Sequence, residues 1–134
     1  MIDIENIIID KLTTALQDKY GSDFFVSSDI ASIPSQVPAV AVEMVDNPTY
    51  MQTLDTNWRE NHAQPLFQID GYTNDVAGRK TQCKQILAVV DDVMQSLGLV
   101  RISGPTPTPN TDKYRMSARY RCIVSNDGKV YKGR

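Results

Sequence analysis

The chain has 134 residues, a length that suits one domain and leaves too little sequence for two complete cores. Apolar residues make up 41% and charged residues 22%, a balance that excludes a disordered tail and a membrane-embedded protein. The formal net charge of −2 argues against a dedicated polyanion binder, and a single His with two Cys excludes most metal sites.

The first five residues lack the basic stretch and the cleavage site of a secretory signal, and no apolar run approaches the length that spans a bilayer. We therefore expect a protein that is made in a cytoplasm and has no membrane segment. Cys83 and Cys122 have no partner motif nearby, so we expect both to be buried reduced thiols. A disulfide or a metal ligand is the alternative for them.

Residues 3–20 predict the first helix, because apolar side chains recur there at helical spacing. The predicted stripe consists of Ile4, Ile7, Ile8, Leu12, Ala15 and Leu16. Asp3 suits the N-cap, and Gly21 suits the left-handed position after the last turn. Residues 24–26 then predict a short strand, and the Ser-rich stretch 27–35 predicts a loop.

Two segments alternate between apolar and polar residues, as strands with one buried side do. Residues 37–45 predict a strand with Val40 and Val42 on its buried side. Residues 65–73 predict another, with Phe67 facing inward and Asp70 facing outward.

Residues 46–62, between these strands, are polar but carry large side chains at Tyr50, Met51 and Trp58. Pro48 interrupts the segment, so a hairpin arm is the favoured interpretation and a loop is the alternative. The large side chains predict a contact surface, unless they pack on the chain's own sheet.

Residues 75–97 predict the longest helix, on an apolar stripe that includes Cys83, Val90 and Leu97. Thr73 or Asn74 suits its N-cap, and Gly98 suits its C-terminal end. The neighbouring acidic pair in the middle of this helix is expected on its solvated face, at Asp91 and Asp92.

The C-terminal third predicts strands separated by turns. Residues 99–103 predict a short strand, and residues 104–112 predict a Pro-rich linker, because proline lacks the N–H that a ladder needs. Residues 114–125 predict a long strand, and the Asn-Asp-Gly turn at 126–128 leads into a closing strand over 129–132.

This order of elements predicts an α+β fold over residues 1–134, with two helices on one face of a mixed, mainly antiparallel sheet. Arg115, Arg119 and Arg121 share one strand parity and therefore lie together on the other face. Three interpretations stay open for this row: a cross-strand ion-pair network with residues such as Glu43 and Asp70, a protein–protein interface, or contact with nucleic-acid phosphates.

The sequence contains no motif that would bring catalytic residues together. His62 lies in the polar segment and is expected to be a loop residue, and neither a Gly-x-Ser-x-Gly turn nor a Gly-rich phosphate loop is present. A metal-dependent nuclease would have to use Glu43 and Asp70 with Lys80, but no strand places an acidic residue and Lys on one face. We therefore expect no enzyme activity, no metal and no cofactor, with the nuclease as a minor alternative.

A family resemblance becomes visible when the patterned segments are taken in chain order. The segments that carry the resemblance are the opening helix, the Pro-rich stretch and residues 33–34, 38–43, 67–72, 93–101 and 115–121. Over nearly the whole chain, this series resembles the tail terminator (tail completion) proteins of long-tailed bacteriophages.

That resemblance implies a virion structural protein, a small α/β subunit that forms a hexameric ring at the head-proximal end of the tail tube. Such a ring ends tube polymerisation and joins tail to head, without an enzyme activity or a cofactor. The implied partners are other copies of the chain, the tail-tube protein and a neck or head-completion protein, with non-specific contact to passing DNA. The expected interface or lumen residues are Arg115, Arg119, Arg121, Tyr50, Met51 and Trp58. A head-closure or neck component is the main alternative, and a host DNA-binding regulator is a more remote one.

Overall fold

The computed structural model describes residues 3–22, 24–27, 38–48, 62–74, 78–107, 113–125 and 130–131. Within these ranges the chain forms two helices and eight strands. In chain order they are α1 (Glu5–Tyr20), β1 (Phe25–Ser27), β2 (Ala39–Asp46), β3 (His62–Ala63), β4 (Leu66–Asn74), α2 (Arg79–Ser96), β5 (Val100–Pro107), β6 (Lys113–Arg121), β7 (Ile123–Ser125) and β8 (Val130–Tyr131). Neither helix in the described ranges is long and apolar enough to cross a membrane.

Five of the strands form the main sheet, in the spatial order β1-β2-β4-β6-β5. β1 runs parallel to β2, and the other neighbouring pairs are antiparallel. A smaller sheet joins β3, β7 and β8. Both helices pack against one face of the main sheet, here called the first face, so the predicted α+β architecture is confirmed.

Helix α1 forms where the apolar stripe predicts it and buries Ile4, Ile8, Leu12 and Leu16. The N-cap is Ile4, so the prediction of Asp3 at this position was wrong. Asp3 lies one residue earlier, and its carboxylate accepts a hydrogen bond from the Glu5 backbone N–H at 2.9 Å, which satisfies one of the free donors at the helix start. Gly21, with φ of 116°, ends the helix and donates its N–H to the Gln17 carbonyl. Including Ile7 in the buried stripe was wrong, because its side chain is 50% exposed on the outer side of the helix.

Helix α2 begins at Arg79, four residues later than the sequence predicts. The proposed N-caps, Thr73 and Asn74, are instead the last residues of β4, where they pair with Tyr114 and Lys113 of β6. Their backbone hydrogen bonds to a full-length partner strand favour the strand over an earlier helix start. The N-cap position belongs to Gly78, whose φ of 84° turns the chain into the helix.

The C-terminal end of α2 is a Schellman motif, as Gly98 at this position predicts. The Gly98 N–H donates to the Gln95 carbonyl at 3.0 Å, and the Leu99 N–H donates to the Met94 carbonyl at 3.0 Å. Leu99 and Met94 are both buried, so the motif also includes the apolar contact that accompanies it.

The core lies between the helices and the first face, where α2 approaches β4 closely. A Cβ placed on Gly71 would lie 3.2 Å from Cys83 Sγ, so the absence of a side chain there lets the helix pack against the strand. Cys83 and Cys122 are free and buried, as predicted, and burial raises the pKa of their thiols to about 11 and about 12.

Strand β5 extends through Pro107, so the prediction that a linker begins at residue 104 was wrong. Thr106 pairs with Ser117 and Pro107 pairs with Met116, after two register shifts nearer the start of β5. The position of β5 explains why prolines are tolerated, because it is an edge strand of the main sheet in the described ranges, and an edge strand can lack N–H groups on its outer side. The rest of the predicted linker, residues 108–112, lies outside the described residues.

The long strand predicted over residues 114–125 is divided at Cys122. β6 belongs to the main sheet, whereas β7 pairs with β3 and β8 in the smaller one. The uninterrupted apolar alternation concealed this division, because Tyr120, Cys122 and Val124 are buried on both sides of the break.

Most of the segment 46–62, including Tyr50, Met51 and Trp58, lies outside the described residues. Its two ends are described and are adjacent, because the Gln64 N–H donates to the Pro48 carbonyl at 2.9 Å. His62, expected in a loop, is half-buried in β3 opposite Ser125, so that prediction was wrong.

Candidate interface on the second face of the sheet

The second face of the main sheet, opposite the helices, carries the arginine row. Directly opposed residues of an antiparallel pair lie on the same face. The register sets Arg115 opposite Tyr72, Ser117 opposite Asp70, Arg119 opposite Gln68 and Arg121 opposite Leu66. The three arginines therefore share one face, as their spacing predicts, and they differ in how deeply they are buried.

One half of the second face is buried and centres on Asp70, whose side chain has no exposed surface. Its Oδ2 lies 2.6 Å from Arg115 Nη2, and its Oδ1 accepts hydrogen bonds from the Ser117 hydroxyl and the Gln68 amide. Both oxygens of the carboxylate are therefore occupied, and the ion-pair interpretation of the arginine row is confirmed for Arg115.

Tyr72 belongs to the same buried half of the second face and lies opposite Arg115. The Arg115 guanidinium carbon lies 5.8 Å from the centroid of the Tyr72 ring, within the range of a cation–π contact. Burial raises the pKa of the Tyr72 hydroxyl, with a smaller lowering effect from the Arg115 charge. Tyr72 also belongs to a small buried cluster with Ala39 and Ala41, so this part of the face is buried as well as paired.

The sequence did not predict a buried half of the second face. The available signal was the apolar character of three outward positions, Ala39, Ala41 and Tyr72, which a strand with one solvated side would normally fill with polar residues.

The other half of the second face is exposed and contains Arg119 and Arg121. Arg119 Nη2 donates to Gln68 Oε1 at 3.1 Å, which holds one guanidinium across the strands. Val100, opposite Arg121, is 39% exposed, and Ile102, at a register shift of β5, is 45% exposed. We call these four residues the basic–apolar patch. It lies along an edge strand, where two arginines border exposed β-branched side chains.

Of the residues of the nuclease alternative, Glu43 and Asp70 share the second face on neighbouring strands, and Lys80 lies apart from them. Glu43 pairs with Gln68 on the second face, whereas Lys80 is exposed on α2, which packs against the first face. Asp70 is already bound by Arg115 and Ser117. In the described ranges, no group of three or more His, Cys, Asp and Glu residues is placed to hold a metal ion.

A second polar cluster, between α2 and β6, was missed. Asp91, expected on the solvated face of α2, accepts a hydrogen bond from the Tyr120 hydroxyl at 2.8 Å and lies 3.5 Å from Arg101 Nη1. Gln95 donates to the other oxygen of the same carboxylate at 2.7 Å. Burial and then the bond to Asp91 raise the pKa of Tyr120, so its hydroxyl stays a donor. The cluster attaches the helix to the sheet, while Asp92 is exposed as expected.

Tyr120→Phe is expected to lower the free energy of unfolding by about 1.5 kcal/mol, because a hydrogen bond to a charged acceptor is lost at a half-buried site. Urea denaturation at neutral pH measures this change. Gln95→Ala removes a bond to the exposed side of the same carboxylate and should cost about 0.5 kcal/mol or less. Equal losses for the two variants would show that the Tyr120 hydroxyl has no special role.

Comparison with known proteins does not identify the chain. No protein-family model matches it, and no curated protein matches it significantly. Its function is therefore inferred from the geometry of the second face and from the resemblance in the sequence.

Proposed function

We propose that the chain is a virion structural protein, one subunit of a ring at the head-proximal end of a bacteriophage tail tube. The ring ends polymerisation of the tube and joins the tail to the head. The observation that carries this proposal is the basic–apolar patch, an exposed surface of Val100, Ile102, Arg119 and Arg121 along an open sheet edge.

The chemistry of this patch favours recognition of another protein. A guanidinium presents its N–H donors in a planar fork that matches the two oxygens of a carboxylate, so Arg119 and Arg121 are suited to acidic partners. Arg beside exposed aliphatic side chains is typical of interface surfaces, where the apolar groups exclude water and the charges select the partner. The acidic total charge of the chain, −2, makes phosphate binding a secondary use of the same arginines.

Within this function the three arginines have different tasks. Arg115 is tied to Asp70 and stabilises the subunit, whereas Arg119 and Arg121 are available for contacts with neighbouring subunits or for the lumen. Tyr50, Met51 and Trp58 remain predicted contact residues of the 46–62 segment. The partners are other copies of the chain, the tube protein and a neck protein, and the function requires no cofactor.

The simplest test is the genomic neighbourhood, where reading frames for tube, tape-measure and head-joining proteins are expected beside this one. The direct test adds the purified chain to polymerising tube protein and measures tube lengths by negative-stain electron microscopy. We expect shorter tubes with a ring at one end. Arg119→Glu with Arg121→Glu should lose this effect, whereas the matched charge change Lys80→Glu with Lys84→Glu, at exposed positions of α2, should retain it.

Two results would contradict the proposal. Tubes of unchanged length with no bound chain would exclude a terminator. Antibody labelling of intact virions but not of isolated tails would assign the chain to head closure instead.

A further inference from the structure

Helix α1 presents a surface that the core does not use. Its outermost positions lie on one line along the helix and are all exposed: Asp3, Ile7, Asp10, Thr14 and Asp18. We call this line the outer stripe of α1. Ile7 is 50% exposed within the stripe, between Asp3 and Asp10 in the sequence, and Lys11 lies on its flank. The stripe carries three carboxylates against this one amine, so its charge is opposite to that of the basic–apolar patch.

The two surfaces lie on opposite sides of a two-layer subunit. The outer stripe faces away from the sheet, because α1 buries its other side against the first face. The basic–apolar patch lies on the second face. A subunit cannot bring its own two surfaces together, but two neighbouring subunits stacked face to back can.

We infer that the basic–apolar patch of one copy docks on the outer stripe of α1 in the next copy, an inference that rests on the proposed ring. In this contact Arg119 and Arg121 pair with the exposed carboxylates that α1 carries on its outer stripe, Asp10 and Asp18, and Val100 and Ile102 cover Ile7. Buried apolar area supplies the attraction, and the opposite charges set the register.

This contact joins two different surfaces, so a docked pair of copies still has one free basic–apolar patch and one free outer stripe. Such a heterologous contact produces closed rings or open filaments and does not stop at a dimer. It therefore supplies the kind of contact that a ring requires.

Charge reversal on each surface tests the inference. The sheet variant carries Arg119→Glu and Arg121→Glu, and the helix variant carries Asp10→Lys and Asp18→Lys, which spares Asp3 and its hydrogen bond from the Glu5 backbone N–H. Each variant alone should associate about 100-fold more weakly than the wild type, because like charges then face each other. Analytical ultracentrifugation over a range of concentrations measures this, with circular dichroism to check folding.

The mixture of the two variants is the decisive sample. The unchanged stripe of the sheet variant meets the unchanged patch of the helix variant, and the Glu-bearing patch meets the Lys-bearing stripe. Both contacts then join opposite charges, so the mixture should regain association, with the two variants alternating. The variant with all four substitutions should associate with itself again, since both charge patterns are exchanged. The control Lys80→Glu with Lys84→Glu should behave as the wild type.

The possible failures are distinguishable. A mixture that stays monomeric, or charge-reversed variants that still form rings, would overturn the docking contact and leave the terminator proposal standing. A chain that associates as described but never binds tube ends would retain the contact and refute the terminator role. A third result would assign the patch to nucleic acid and overturn the inference. In it, the sheet variant associates with itself as strongly as the wild type does, but loses a salt-sensitive binding to duplex DNA that the wild type shows.

Discussion

Asp70→Ala is expected to lower the free energy of unfolding by about 4 kcal/mol, the cost of breaking a buried ion pair on one side. The substitution leaves the Arg115 guanidinium without its carboxylate, and the Ser117 hydroxyl and the Gln68 amide without their acceptor. Water cannot readily replace the lost partner, since Asp70 has no exposed surface. Urea denaturation followed by circular dichroism measures the loss.

A double-mutant cycle separates the ion pair from its surroundings. Arg115→Met alone should also be strongly destabilising, because it leaves the Asp70 charge buried and uncompensated. The double variant should cost about 2 kcal/mol less than the sum of the single losses, since neither charge is then left alone. Arg119→Ala, at an exposed position on the same strand, should change stability by about 0.5 kcal/mol or less. Additive losses in the cycle would show that Asp70 and Arg115 do not stabilise each other.

Side-chain periodicity predicted which residues share a face, and it predicted this well. The buried side of α1 and the common face of the three arginines both follow from spacing alone, because 3.6 residues per helical turn and two per strand repeat are properties of the backbone. Ile7 is the exception on α1, since a single apolar residue on a helix surface can be exposed at little cost.

Element boundaries depended on partners that are distant in sequence. Helix α2 starts late because Thr73 and Asn74 pair with β6, which lies some forty residues further along the chain. β5 continues through its prolines because it is an edge strand among the described strands of the main sheet. Neither fact can be obtained from local propensity, which has no information on strand order.

In the candidate site, too, spacing predicted the face on which a residue lies, and contacts distant in sequence decided the rest. Strand parity placed Arg115, Arg119 and Arg121 on one face but could not give their depth. Arg115 is half-buried against Asp70, whereas Arg119 and Arg121 are exposed, so only two of the three remain available for an interface. The outer stripe of α1 was visible in the sequence only as the polar side of a helix, and its partner surface required the sheet register.

Gly104→Ala is expected to lower the free energy of unfolding by about 3 kcal/mol, the sum of left-handed backbone strain and a steric overlap. Gly104 has a φ of 80°, and a Cβ placed on it would overlap the Ser117 carbonyl oxygen and lie 2.8 Å from Ala118 Cα. These neighbours are backbone atoms of β6, the strand that pairs with β5, so they cannot move aside without disturbing the sheet.

Gly78→Ala is the matched control, because Gly78 has a nearly equal φ of 84°, and in the described ranges no atom beyond its chain neighbours lies within 4 Å of the added Cβ. It should cost about 1 kcal/mol, which measures the strain without the overlap. The difference between the two variants in urea denaturation thus isolates the contact between β5 and β6. If the two glycines cost the same, β5 is not held closely against β6 at Gly104. If Gly104→Ala costs more, as expected, the same variant should also weaken association between copies, since β5 carries Val100 and Ile102 of the basic–apolar patch.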